Sequence, residues 1–157
     1  MLNSSGGTPM NKGILFIDEE PEYIRPYIEA LRDEGYKVTL ATTVDQAYRL
    51  LDEQEFDLIV LDLIMPPGQS EKKETREELN YAETGIRLCK YIRDKLGFID
   101  IPIIFLTVVT DPTIHQEIRK LERRYGLKPR ILIKPILPSE VVTEVRKVLQ
   151  EFQGLYL

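Results

Sequence analysis

Phe56-Asp-Leu-Ile-Val-Leu-Asp-Leu-Ile-Met-Pro-Pro-Gly68 is the stretch from which the rest of the chain can be read. Leu58 to Leu61 is an unbroken apolar run with β-branched residues in it, the pattern of a strand covered on both faces in the middle of a parallel sheet. Asp62 ends the run. Pro66, Pro67 and Gly68 cannot continue a strand, so the Asp62 carboxylate is expected at the mouth of a turn.

Outward from this strand, apolar runs alternate with helical periodicity. Upstream, Lys12 to Ile17 reads as a first strand that also finishes in acid, at Asp18, Glu19 and Glu20. Ile24, Ile28 and Leu31 recur at helical spacing before Gly35, with Pro26 predicting either a kink or a helix that begins only there. Lys37 to Ala41 is a second strand, and Val44, Ala47, Tyr48 and Leu51 give an amphipathic helix capped by Thr42 or Thr43. Downstream, Gln69 to Glu83 is dominated by Glu, Lys and Arg and reads as an exposed insertion, at about 68–84. Thr84-Gly85 is expected to cap a helix carrying Ile86, Leu88, Cys89, Ile92 and Leu96. Ile101 to Leu106 is a fourth strand terminating at Thr107; Asp111-Pro112 opens a helix with Ile114, Ile118, Leu121 and Tyr125. Arg130 to Ile133 is a fifth strand ending on Lys134-Pro135, and Pro138-Ser139 starts a last helix. Such alternation predicts an α/β fold, a doubly wound parallel sheet flanked by helices.

At 157 residues the chain has the size of one domain, and its 43% hydrophobic and 30% charged residues suit an ordinary globular protein. No apolar stretch is long enough to span a bilayer, and no signal peptide is apparent. The lone Cys89 cannot form an internal disulfide, which suits the cytoplasm; it reads as a small buried hydrophobe. A net charge of -5 argues against direct nucleic-acid binding. Residues 1–10 read as a disordered leader or a cloning remnant, leaving 11–153 for the domain.

Ligands of an open parallel sheet bind outside the carboxyl ends of its strands. Those ends carry Asp18 and Glu19, Asp62, Thr107 and Lys134. Taken singly, each is an ordinary loop residue; together they give one crevice three carboxylates, a hydroxyl and an ammonium. Like charges about 4 Å apart repel by about 4 kcal/mol at an effective dielectric near 20, so three acids in one pocket call for a cation. Lys134 supplies one positive charge. An all-oxygen donor set suits Mg²⁺ for the rest, and no Cys/His cluster exists for zinc.

The four motifs Ile14-Leu-Phe-Ile-Asp18-Glu19-Glu20-Pro21, Ile59-Val-Leu-Asp62-Leu-Ile-Met65-Pro66, Pro102-Ile-Ile-Phe-Leu-Thr107 and Leu132-Ile-Lys134-Pro135 resemble, in order and spacing, the receiver domain of two-component response regulators. The resemblance covers about Asn11 to Phe152. It implies the flavodoxin-like, CheY-like sheet with strand order 2-1-3-4-5. It further implies Mg²⁺-dependent acceptance of a phosphoryl group on Asp62 from a histidine kinase or a histidine phosphotransfer protein. Asp18, Glu19, Asp62 and the Ile64 backbone carbonyl would hold the metal, Lys134 would neutralise charge, and Thr107 would bond the arrived phosphoryl group. The chain would be a phosphoryl acceptor that catalyses its own transfer and dephosphorylation rather than a turnover enzyme. The rearranged face, about 111–152, would meet a downstream protein target or a second copy of the chain, and Lys134-Pro135 resembles a junction that receivers often hold cis.

Several residues depart from the common receiver pattern. Glu19 stands where aspartate is more usual, Val108 where Ala or Gly is common, and Ile131 where many receivers have an aromatic ring that moves with the threonine. Val108 is expected to slow dephosphorylation, and the switch must work without a ring at 131. His115, the only histidine, reads as a plain surface residue. The competing reading is a phosphorylation-independent docking or dimerisation module. A haloacid-type phosphatase is disfavoured because Ile64 stands where its second aspartate would be, and a nucleotide or flavin role because no Gly-rich loop follows the first strand. No output region follows the last helix, so the chain acts through protein contacts or belongs to a longer regulator.

Overall fold

The computed structural model describes residues 12–65 and 81–154. Its elements in chain order are β1 (Gly13–Ile17), α1 (Pro21–Asp33), β2 (Lys37–Ala41), α2 (Val44–Glu53), β3 (Leu58–Leu61), α3 (Tyr81–Lys90), β4 (Ile103–Thr107), α4 (Pro112–Arg124), β5 (Ile131–Ile133) and α5 (Pro138–Gly154). Helix α3 runs on into a π turn, Tyr91–Lys95. The strands form one five-stranded sheet in the order β2-β1-β3-β4-β5, every pair parallel. This is the doubly wound sheet that the alternating pattern predicts.

Alternation along each strand divides the core in two. Leu15, Ile17, Ile59, Leu61, Ile103 and Phe105 face α2, α3 and α4, while Ile14, Phe16, Leu58, Val60, Ile104 and Leu106 face α1 and α5. All four residues of β3 are buried, as a central strand requires. Thr43 caps α2 by accepting from the Gln46 N–H (3.1 Å), and Asp111 caps α4 by accepting from that of Thr113 (2.8 Å). Gly35 (φ 99°) and Gly126 (φ 74°) close α1 and α4 in a backbone region that strains other residues.

One helix start decides between the two alternatives left open by the sequence, and another differs from the expectation. Helix α1 begins at Pro21 and runs on through Pro26. A proline in the first turn gives up an N–H that has no partner anyway, and burial of Ile24, Tyr27, Ile28 and Leu31 along one stripe outweighs the single bond missing at Pro26. Helix α3 begins by Tyr81, so Thr84 and Gly85 lie inside it, buried, instead of capping it. The insertion expected at about 68–84 lies outside the described residues as far as residue 80, and the leader at 1–10 lies outside them altogether. No helix among the described residues is long and apolar enough to cross a membrane.

Candidate functional site

The register brings the acids together before any side chain is considered. Ile17 pairs with Leu61, so the residues that follow them, Asp18 and Asp62, leave the sheet side by side. Their N–H groups extend the ladder, Asp18 to the Ala41 carbonyl (3.0 Å) and Asp62 to that of Ile17 (2.9 Å). Each side chain is then oriented by the same local device. Asp18 Oδ1 accepts from the Glu20 N–H (3.0 Å), Asp62 Oδ1 from the Ile64 N–H (3.1 Å), and Thr107 Oγ1 from the Val109 N–H (3.2 Å). These are turns in which a short polar side chain bonds the backbone two residues on. One carboxylate oxygen of each aspartate is so engaged, and the other, Oδ2, faces Lys134.

Lys134 Nζ stands 3.1 Å from Asp18 Oδ2 and 3.3 Å from Asp62 Oδ2. It is delivered by β5, whose Ile133 pairs with Thr107, and the Lys134 N–H donates to the Thr107 carbonyl (2.9 Å). The Lys134–Pro135 peptide is cis. Asp18, Asp62 and Thr107 are all buried, so these charges meet in a poorly hydrated crevice.

Burial pushes the Asp18 carboxyl above the usual carboxylate range; the Glu20 N–H and the Lys134 charge pull it back, and the Asp62 charge adds to the rise. Burial by itself would lower Lys134, but the charges of Asp62 and Asp18 more than reverse that, and the ammonium is held above its ordinary value. Glu19 is half-buried, and its carboxyl is raised by burial and then by the charges of Glu20, Asp18 and Asp62. Glu19 thus shares the field of the two aspartates, although no three such groups form a ready coordination cluster among the described residues. Two buried carboxylates sharing one ammonium retain a negative excess, and their donors are all oxygen. That chemistry fits a hard divalent cation.

Comparison with known proteins shows the family and the fold. Residues 14–146 match the family model described as the response regulator receiver domain. The chain belongs to that family. The receiver is 30% identical over 140 residues to the transcriptional regulatory protein BaeR of Escherichia coli O6:H1, covering 87% of this chain and 48% of that one. It is 30% identical over 145 residues to the regulatory protein VanR of Enterococcus faecium, covering 92% and 52%. The chain therefore spans about half the length of these two relatives. Among solved structures, a CheY-like receiver domain protein from Methanospirillum hungatei JF-1 shares the fold at a TM-score of 0.71 and 19% identity, covering 92% of this chain and 98% of that one. Chemotaxis response regulator CheY4 of Vibrio cholerae does so at 0.68 and 24%, covering 88% and 99%.

The receiver's acidic loop is held from behind by buried Leu63 and Met65 and by Gly85 of α3. The Gly85 N–H donates to the Leu63 carbonyl (3.2 Å), and a Cβ added at Gly85 would come within 2.4 Å of that oxygen and 2.5 Å of Leu63 Cα. Backbone on backbone cannot give way as a side chain does. Gly85→Ala is expected to destabilise the fold by about 1–3 kcal/mol, read as a lower urea midpoint with unchanged slope.

Sequence reasoning did not find two further features of the fold. Arg93, in the π turn, and Glu122, in α4, form a fully buried ion pair (Nη2 to Oε1 2.7 Å, Nε to Oε2 2.8 Å), and Arg93 Nη1 also donates to the Phe98 and Ile101 carbonyls (2.7 and 2.5 Å). The signal was present, since each charge sits on its helix's apolar stripe: Arg93 with Ile86 and Cys89, Glu122 with Ile118. The second is His115. Read as a plain surface residue, it is half-buried, with Nε2 2.7 Å from the Val109 carbonyl oxygen. Cys89 is buried as expected, and burial pushes its thiol far up, out of reach of thiolate chemistry.

Proposed function

We propose that this receiver accepts a phosphoryl group on Asp62 from the phosphohistidine of a histidine kinase or phosphotransfer protein, and that this changes a protein-binding face. The observation that carries the reading is the geometry of Asp62. One oxygen is fixed by the Ile64 N–H, and the other is presented at a strand end 3.3 Å from a lysine held in its charged form. In the transfer, Asp62 Oδ2 attacks phosphorus, the bond to the donor imidazole nitrogen breaks, and an acyl phosphate forms. Lys134 meets the charge on the transferring oxygens, and the Thr107 hydroxyl, which still has a hydrogen to give, bonds one of them on arrival.

Mg²⁺ would be held by Asp18, Glu19, Asp62 and the Ile64 carbonyl, and would supply charge neutralisation at the phosphoryl oxygens. Asp18 then pays for its burial chiefly when the metal is away. Because its folded-state proton affinity is raised, its contribution to stability is fully present below the ordinary value of 3.8 and is lost as pH rises through the folded value. In EDTA, Asp18→Asn is therefore expected to be more stable than wild type at neutral pH, with the advantage closing as pH falls towards 3.8. Adding Mg²⁺ should raise the unfolding temperature of the wild type and not that of Asp18→Asn. A pH-independent difference, or equal Mg²⁺ stabilisation, would contradict these assignments.

Beside Lys134 lies an open cavity of about 360 Å³ lined by Glu20, Tyr23, Tyr27, Val108 and Pro135. Tyr23 and Val108 are well exposed there, an apolar rim that suits docking of a protein phosphodonor rather than a nucleic acid. The downstream target would meet the face at about 111–152, a second copy of the chain being the other candidate, and the single cysteine suits a cytoplasmic location. The domain would run over 11–153, with the charged insertion at about 68–84 following Asp62. Incubation with phosphoramidate, a small-molecule phosphorus–nitrogen donor, together with Mg²⁺ tests the chemistry. The expected product is a phosphoprotein whose phosphate is released by hydroxylamine, as an acyl phosphate requires. A hydroxylamine-stable product, or none, would overturn the reading and favour the phosphorylation-independent docking module.

A further inference from the structure

We infer that His115 is a positioning residue that ties the movement of Thr107 to the first turn of α4. The inference rests on Asp62 being the phosphoacceptor. Val109 is the link, for its N–H donates to Thr107 Oγ1 (3.2 Å) while its carbonyl oxygen lies 2.7 Å from His115 Nε2. A carbonyl oxygen only accepts, so Nε2 carries the hydrogen. The result is one chain of bonds from Thr107 Oγ1, through a single residue of the loop, to a side chain of the helix.

The mechanics follow from what is fixed at each end. Thr107 is fully buried at the end of β4, so its hydroxyl has few partners to exchange. When it turns toward a phosphoryl oxygen on Asp62, the Val109 N–H follows it or loses its acceptor. Val109 cannot move alone, since its side chain packs on the core beneath α2, α3 and α4 and its carbonyl is bonded to His115. His115 is itself in the opening turn of α4, with its N–H on the Asp111 carbonyl (3.1 Å). At the other end of the helix Glu122 is gripped by Arg93, the two side chains being 0% and 1% exposed. Helix α4 thus has a fixed far end and a near end tethered to the threonine, and it responds by tilting about Glu122. β5 contributes Ile131, an aliphatic side chain packed on the same core, and so no ring to carry the movement instead.

The test is amide chemical-shift mapping of the whole chain with Mg²⁺, before and after beryllofluoride, which takes the place of a phosphoryl group on a carboxylate. In the wild type, shifts are expected at Ile64 and Lys134, beside the acceptor, and at Thr113 to Glu117 in α4. In His115→Ala the shifts beside the acceptor should persist and those in α4 should be lost. His115→Gln, whose amide N–H has a similar reach, should restore them, whereas a merely space-filling role would not distinguish Gln from Leu. Equal α4 shifts in wild type and His115→Ala, or no restoration by Gln, would overturn the coupling alone. No shifts beside the acceptor in the wild type would overturn the reading of Asp62 and the coupling with it.

Discussion

Lys134→Met is expected to slow phosphoryl acceptance at Asp62 by about 10²–10³-fold, the usual loss when a preorganised charge-stabilising donor is removed from an enclosed site. Methionine keeps most of the stem volume and removes only the ammonium, which lies 3.1 Å from Asp18 and 3.3 Å from Asp62. The carboxylates remain, so Mg²⁺ should still raise the unfolding temperature of the variant. Loss of rate with retention of metal binding is the signature that separates Lys134 from the acids. Time courses of phosphorylation, set beside thermal shifts across a Mg²⁺ titration, measure both. An unchanged rate would show that Lys134 only balances charge in the resting protein.

The second large effect concerns stability. Glu122→Leu leaves the Arg93 guanidinium buried with two backbone carbonyls and no counter-charge; Arg93→Met leaves the Glu122 carboxylate buried and the Phe98 and Ile101 carbonyls without this donor. Breaking a buried pair from one side typically costs about 3–5 kcal/mol. Against a total of about 5–15 kcal/mol for a domain, either variant should be close to unfolding at physiological temperature. Replacing both partners removes two desolvated charges at once, so Arg93→Met/Glu122→Leu is expected to recover part of the loss, the Phe98 and Ile101 carbonyls still lacking their donor. Urea unfolding of the four proteins gives the coupling directly. Single-variant losses below about 1 kcal/mol would mean that the pair behaves as if solvated.

The sheet and its crevice were legible because they rest on short-range patterns. A fully apolar β3 bounded by turn residues suits a central strand, and a parallel sheet sends its strand ends to one edge, so Asp18, Asp62, Thr107 and Lys134 converge once the strands are placed. What was not legible depends on contacts between elements far apart in sequence. Nothing local to Arg93 names Glu122 as its partner across the α3–α4 interface. His115 lies beside an apolar stripe and carries no mark of its bond to Val109, which exists only because the β4–α4 loop folds back on the first turn of α4. Gly85 reads as a cap in the sequence because a glycine near a helix start signals a boundary equally well whether the backbone turns there or Leu63 presses against it.

Intact-mass analysis after incubation with acetyl phosphate shows whether Asp62 is a metal-dependent phosphoacceptor. A gain of one phosphoryl group is expected in Mg²⁺, absent in EDTA and absent in Asp62→Asn. No gain under conditions that modify another receiver, or a gain that survives in Asp62→Asn, would contradict that role for Asp62.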